Sequence, residues 1–247
     1  MRDEGFDRSV ERIVGAERSR YLIGTLAEKT LHAVLKDYYS FSEEEQEVHI
    51  GRLYADVLRG DEILEIQTRS FNSLRKKLDV FLEDHDVTVI YPVAKVKWIS
   101  WIDPVTGEIT DRRKSPKTGS RFDAFRELYR IKSYLSNNRL HIKLVLLELT
   151  EYRMLNGWSA DRKRGSVRFD RVPESLFEEI DIRTKSDYVC LIPDALLDRE
   201  FRVSDFSKEA RISEGSAQLA VNVLGFLGVI ARVGKSGRAY VYRVNSM

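Results

Sequence analysis

Hydrophobic and polar positions follow two periods along this chain. Tyr21, Leu22, Leu26, Leu31, Val34, Leu35 and Tyr38 recur near helical spacing and predict a helix over residues 20–39. Before it, residues 1–18 are polar and rich in Arg and Glu, a frayed lead-in or a weakly packed helix. At residues 53–67, LYADVLRGDEILEIQ, the period changes to two. Two short apolar-rich runs meet at Gly60-Asp61, a two-residue hairpin signal. Gly60 supplies the positive φ that the first turn position needs. The register then sets Arg59 opposite Glu62, Leu58 opposite Ile63, Val57 opposite Leu64, Asp56 opposite Glu65 and Tyr54 opposite Gln67. Tyr54, Asp56, Leu58, Ile63, Glu65 and Gln67 share one predicted face; Leu53, Ala55, Val57, Leu64 and Ile66 share the other.

Beyond the hairpin, Phe71, Leu74, Leu78, Phe81 and Leu82 mark an amphipathic helix with Ser70 as its cap. Its polar face carries Arg75, Lys76 and Lys77, either as an ordinary solvated face or as phosphate contacts beside the hairpin. Residues 87–93 read as a buried strand and residues 95–102 as a half-exposed one. Phe125, Leu128, Ile131 and Leu135 predict a helix over residues 122–135, and residues 140–149 predict another buried strand. Residues 152–169 look like a polar connection in which Arg153, Arg162, Lys163, Arg164 and Arg168 could face phosphate; residues 173–180 look like a short helix. The pattern as a whole is α/β, of the α+β kind with a mixed sheet. It divides into a domain at 19–182 and a smaller one at 186–247. In the smaller domain, Ser204 caps a short helix, residues 211–213 turn, and residues 214–227 form a longer helix. Two strands, 229–233 and 239–244, then flank Gly234-Lys235-Ser236-Gly237.

Composition narrows the class. Hydrophobic residues make up 43% of the 247, enough for real cores, and the formal net charge of +2 gives no global polybasic field. Nucleic-acid binding must therefore rest on local patches. One such patch is residues 111–121, where Arg112, Arg113, Lys114, Lys117 and Arg121 stand against the single Asp111 in what reads as a flexible loop. Residues 199–247 hold eight basic side chains against four acidic ones, with Lys235 and Arg238 at the tip of the last hairpin. A lone cysteine, Cys190, excludes an intrachain disulfide and reads as a core thiol. His32, His49, His85 and His141 have no ligand spacing. No apolar run reaches the roughly 18 residues of a membrane span, and the start of the chain has no signal-peptide core, so the expected setting is the cytoplasm.

The candidate chemistry lies on the hairpin. Asp56 and Glu65 directly opposite each other repel, so a basic neighbour, a shared proton or a bound cation must offset the cost. A divalent ion is the functional answer, and screening by Arg52 or Arg69 on a solvated face is the plainer one. Glu47 is a further acidic neighbour in sequence. Glu28 lies between Leu26 and Leu31 and could face solvent beside Lys29.

Asp56 and Glu65 in the spacing Asp-x8-Glu-x-Gln, preceded by Gly51-Arg52 and by a helix bearing Glu28, resemble the PD-(D/E)XK nuclease superfamily, the restriction-endonuclease-like fold. The order helix, hairpin, helix, buried strand is similar to its αββαβ core. The resemblance implies a metal-dependent DNA endonuclease that hydrolyses phosphodiesters. Asp56 and Glu65 would hold Mg²⁺ (or Mn²⁺) with the Ile66 carbonyl, and Glu28 would order waters. Gln67 stands where the family usually has Lys; it can orient a water but supplies no charge. The C-terminal pattern resembles a winged helix-turn-helix, in which Lys235 and Arg238 would touch DNA. The alternative is a non-catalytic DNA-binding or regulatory protein on a nuclease-like scaffold. Nucleases of this fold often pair up, so a homodimer fits the resemblance, although no residue bears on it.

Overall fold

A computed structural model of the chain describes residues 3–20, 30–158 and 164–245. Its centre is a mixed sheet in the order β1-β2-β3-β4-β6-β7. The strands are β1 (Gln46–Ile50), β2 (Leu53–Arg59), β3 (Glu62–Ile66), β4 (Asp86–Ile102), β6 (Leu140–Trp158) and β7 (Arg164–Ile182). A short β5 (Arg113–Lys114) pairs with β4 off this path. β3, β4 and β6 run parallel; the β1–β2, β2–β3 and β6–β7 pairs are antiparallel.

Alternation along the central strands builds two cores. Val87, Val89, Leu144 and Leu146 pack to one side, where α3 (Arg75–Asp84) and the helical segment 121–134 lie. Ile90, Val145 and Leu147 pack to the other side, against α1 (Glu4–Arg20) and α2 (Thr30–Tyr39). The N-terminal residues are thus not a frayed lead-in: Phe6 is fully buried and meets Tyr38 edge to face. The helix expected over 20–39 is described only from Thr30; residues 21–29 lie outside the described residues.

Several expected elements run longer or take another form. The strands expected at 87–93 and 95–102 are one 17-residue β4 that passes through Pro92. The amide of Gln67 bonds the Ile90 carbonyl, the last contact with β3. Two residues on, Pro92 turns its nitrogen to the same side, where β3 has ended and no donor is needed. The polar connection at 152–169 and the helix at 173–180 are instead the long pair β6 and β7. Residues 122–135 form a broken series of short helical turns, kinked at Ile131, yet Phe125, Leu128, Ile131 and Leu135 are buried as expected. The basic segment 111–121 is not a free loop. Ser115 and Gly119 donate to the carbonyls of Lys97 and Ala94, and a Cβ on Gly119 would come within 2.6 Å of the Ala94 oxygen.

The C-terminal residues form α5 (Val203–Ala210), α6 (Glu214–Phe226), and a hairpin of β8 (Ile230–Ser236) and β9 (Ala239–Val244). The Asp205 carboxylate accepts from the Arg202 amide at the start of α5, so Ser204 is not the cap. Arg211 in the left-handed region ends α5, and the Ser213 hydroxyl caps α6. β8 runs on through Ser236, and the turn falls at Gly237-Arg238 rather than at 234–237. These helices share one buried cluster with the sheet, from Ala55 to Ile230. No described helix is long and apolar enough to cross a membrane.

Candidate functional site

The hairpin forms in the expected register, Val57 opposite Leu64, Leu58 opposite Ile63 and Arg59 opposite Glu62, with Gly60 at φ +60°. Past Val57 the backbone ladder stops and side chains replace it. The Ile66 amide donates to Asp56 Oδ2 at 2.8 Å, and the Asp56 amide donates to Glu65 Oε1 at 3.2 Å. This interruption also slips the faces: Ala55 packs with the α3-side core while Val57 packs with the α2-side core, although a regular strand would hold them together.

The offset to the acid pair is a basic neighbour, and it is neither Arg52 nor Arg69. Lys77 Nζ on α3 donates to both oxygens of Glu65, at 2.9 and 2.8 Å, and lies 3.8 Å from Asp56. From α2, His32 Nε2 is 3.3 Å from Asp56 Oδ2. Glu65 is 2% exposed. Its burial, and next the charge of Asp56, push its carboxyl up to about 7 against the pull of Lys77. Burial also works against the ionised form of Asp56. The hydrogen bond and charge of His32, then Lys77 and the Ile66 amide, outweigh it and hold that group below the usual carboxylate range.

Asp56, Glu65 and Gln67 therefore line one pocket of about 720 Å³, together with His32, Glu47 and Lys77. Gln67 gives one amide N–H to Ser73 Oγ and accepts from the Arg69 amide, which leaves one N–H and one lone pair for the pocket. Glu47 reaches out to Lys36. Glu28 lies outside the described residues. Two carboxylates are the donor type a hard divalent ion takes. Lys77 is their resident counter-ion, so a divalent ion would have to displace its ammonium from a Glu65 oxygen. Among the described residues, no group of three or more His, Cys, Asp or Glu side chains could hold a metal ion.

The other expected contacts lie elsewhere. Arg112 pairs with Glu174 and covers the Trp98 ring; Arg113 covers Trp101; Arg121 is 3.6 Å from Asp194. Lys114 and Lys117 are exposed along β4. Lys235 and Arg238 are exposed on the terminal hairpin, where Lys235 and Arg232 flank the Tyr240 ring. Cys190 is half-buried, and burial pushes its thiol up to about 11. Sequence reasoning passed over His32 as a pocket residue, and gave Lys77 to the polar face of α3 rather than to the acid pair. For Lys77 there was a signal: it falls three residues after Leu74 and four before Phe81, on the buried stripe of α3, where a cation needs a counter-charge.

The class these features define is a mixed α/β sheet protein with an acid pair and a lysine at the end of a hairpin. The chain belongs to the family described as Domain of unknown function (DUF8091), whose model matches residues 29–183. That span contains Asp56, Glu65, Gln67 and Lys77, and excludes Glu28, Lys235 and Arg238. A relative from Treponema pallidum (strain Nichols), described as an uncharacterized protein, is 36% identical over 150 residues, 60% of this chain. The matched region spans 57% of that relative's length. No solved structure matches.

Proposed function

We propose that the chain is a metal-dependent nuclease acting on DNA, with Asp56 and Glu65 as the metal-holding carboxylates and Lys77 as the cation of the site. The observation that carries this reading is the convergence of two repelling carboxylates and one lysine in a single pocket. Mg²⁺ or Mn²⁺, when bound, would supply positive charge at a phosphate oxygen and make an attacking water more acidic. Asp56 is held ionised by His32 and by the Ile66 amide, so it is ready to accept a cation at neutral pH. Lys77 stands on the following helix and brings into the pocket the positive charge that Gln67 cannot carry. Gln67 keeps one donor and one acceptor with which to orient water or phosphate. On this reading the site resembles that of a restriction-endonuclease-like core with its lysine moved to α3. The C-terminal helices and hairpin resemble a winged helix in which Lys235 and Arg238 would meet the DNA backbone.

The test is cleavage of plasmid and linear DNA in Mg²⁺ or Mn²⁺. Asp56→Ala and Glu65→Ala should abolish it, and Lys77→Ala should cut the rate by about 100-fold, the usual scale for one electrostatic group. Lys77→Ala should also leave Mn²⁺ affinity equal or tighter, because it removes the competing ammonium. Cleavage that survives EDTA, or both carboxylate variants, would end this reading. One observation favours the second reading, a non-catalytic DNA-binding protein: Lys77 already closes the acid pair as an internal ion pair. Calorimetry showing no Mn²⁺ binding, with duplex DNA still bound, would select it.

A further inference from the structure

β4, β6 and β7 run on well past the end of β3. β3 stops opposite Ile90, while β4 stays paired with β6 as far as Ile102 and Met154. On this extension four cations gather around one buried carboxylate. Glu151, 2% exposed, has Arg153 Nη2 at 2.6 Å, Arg168 Nε at 3.2 Å and Lys97 Nζ at 4.0 Å. Arg171 sits directly across from it in the β6–β7 register. Asp170, the other acid nearby, is buried and accepts from the Thr30 hydroxyl. Among the described residues, four cations against two carboxylates leave a formal charge of +2 within two adjoining strand pairs. One Arg would have sufficed to neutralise Glu151.

Two further observations suit this cluster to an anion. Arg171 spends one N–H on the Thr68 carbonyl at 2.9 Å, but its buried Nε has no hydrogen-bond partner among the described residues. Its guanidinium is also pushed down to about 10, first by burial and then by the charge of Arg168, so a neighbouring anion would favour its charged form. Thr68 lines the pocket that holds Asp56 and Glu65. The cluster therefore adjoins that pocket, with Arg171 as the joint between them.

We propose that Lys97, Arg153, Arg168 and Arg171 bind two consecutive phosphates of a nucleic-acid strand that leads into the Asp56–Glu65 pocket. The strand direction rests on the nuclease reading; the phosphate site itself does not. Two phosphodiesters carry the two negative charges the cluster lacks, and Arg guanidinium is well suited to phosphate oxygens. Farther out, Arg113 stacked on Trp101, across from Arg153 in the sheet, continues the basic track along β4.

The experiment is fluorescence anisotropy with a labelled 20-nucleotide single strand, and with the same sequence as a duplex, in EDTA from 50 to 300 mM KCl. The double variant Lys97→Gln/Arg168→Gln leaves Arg171 and Arg153 to hold Glu151. It should weaken binding about 10-fold or more and lower the salt slope by about 1.4 to 1.8, two phosphates' worth. Arg171→Lys should weaken binding less than the double variant. Lys132→Gln, on the α6 side of the molecule, should match the parent. Affinity and slope unchanged in the double variant, or a parent that binds neither probe, would overturn the inference. Mn²⁺ calorimetry on the same proteins separates the two claims. Normal Mn²⁺ binding with weakened DNA binding is the expected result. DNA binding lost in the variant while the parent holds no Mn²⁺ would sink the nuclease reading and leave the phosphate site standing.

Discussion

Glu65 sets the chemistry of its pocket through burial. A carboxyl raised to about 7 favours the fold in its protonated form. That contribution is complete below the ordinary glutamate range, near 4.3, and is lost as pH rises through about 7. Asp56, held low, acts in the opposite sense: its contribution is present above the ordinary aspartate range and fails only in acid. Of the two carboxyls, only Glu65 changes state between pH 5 and 7.5, so its contribution to thermal stability in EDTA should fall across that window. Glu65→Gln should flatten the profile. Mn²⁺, which favours the ionised pair, should raise the melting temperature more at pH 7.5 than at pH 5. Parallel profiles for wild type and Glu65→Gln would contradict this account. The approach of Asp56 and Glu65 was legible from the hairpin period and the Gly60 turn. The ammonium between them was only partly legible: Lys77 falls on the buried stripe of α3, but beside Arg75 and Lys76 it also fits a solvated face until the helix is docked. His32 was hidden for a similar reason: its partner lies on another element.

At the scale of elements, the hairpin was the most legible piece because its turn has a strict backbone demand. Gly60 holds φ +60° with open space where a Cβ would lie, so any penalty for a side chain there is conformational rather than steric. Gly60→Ala should destabilise the fold by about 1 kcal/mol in urea melts. Gly60→Asn should cost less, since Asn tolerates that region. Equal losses for the two would point to an unrecognised contact instead. The expected strand at 140–149 is the first part of β6; the rest of β6 and all of β7 were missed because, beyond the sheet's covered part, neither face is fully apolar. Lys97, Glu151, Arg153 and Arg168 then occupy strand positions that a buried-strand pattern assigns to Val or Ile. Residues 173–180 read as a short helix, yet they lie in β7, a sheet edge, one of the few strand settings that accepts a proline such as Pro173.

For the whole molecule, the C-terminal unit and the sheet share a buried interior. Phe206 of α5 is fully buried, with Phe122, Phe125 and Phe201 ring centroids at 6.2, 6.0 and 6.2 Å. The first two belong to the helical segment packed on the sheet, so Phe206 joins the C-terminal unit to it. Lys132 adds a hydrogen bond to Asn222 on α6 and lies over Phe226. The exposed side of α6 offers Glu214, Gln218 and Asn222 and no basic residue; the cations of this unit divide between the hairpin (Arg232, Lys235, Arg238 and Arg243) and the residues on and around α5 (Arg199, Arg202, Lys208 and Arg211). Units that share a core unfold together. Calorimetry of the full chain should therefore show one transition, and Phe206→Ala should lower it as a whole, by about 3 to 5 kcal/mol. Removing residues 199–247 should uncover Phe125 and Leu128 and leave a chain that aggregates or binds a hydrophobic dye, so a loss of DNA binding in that truncation would say nothing about the hairpin. Lys235→Gln/Arg238→Gln keeps the core intact and is the variant that addresses it. Two resolved transitions, with the sheet's melting untouched by Phe206→Ala, would show instead that the units are energetically separate.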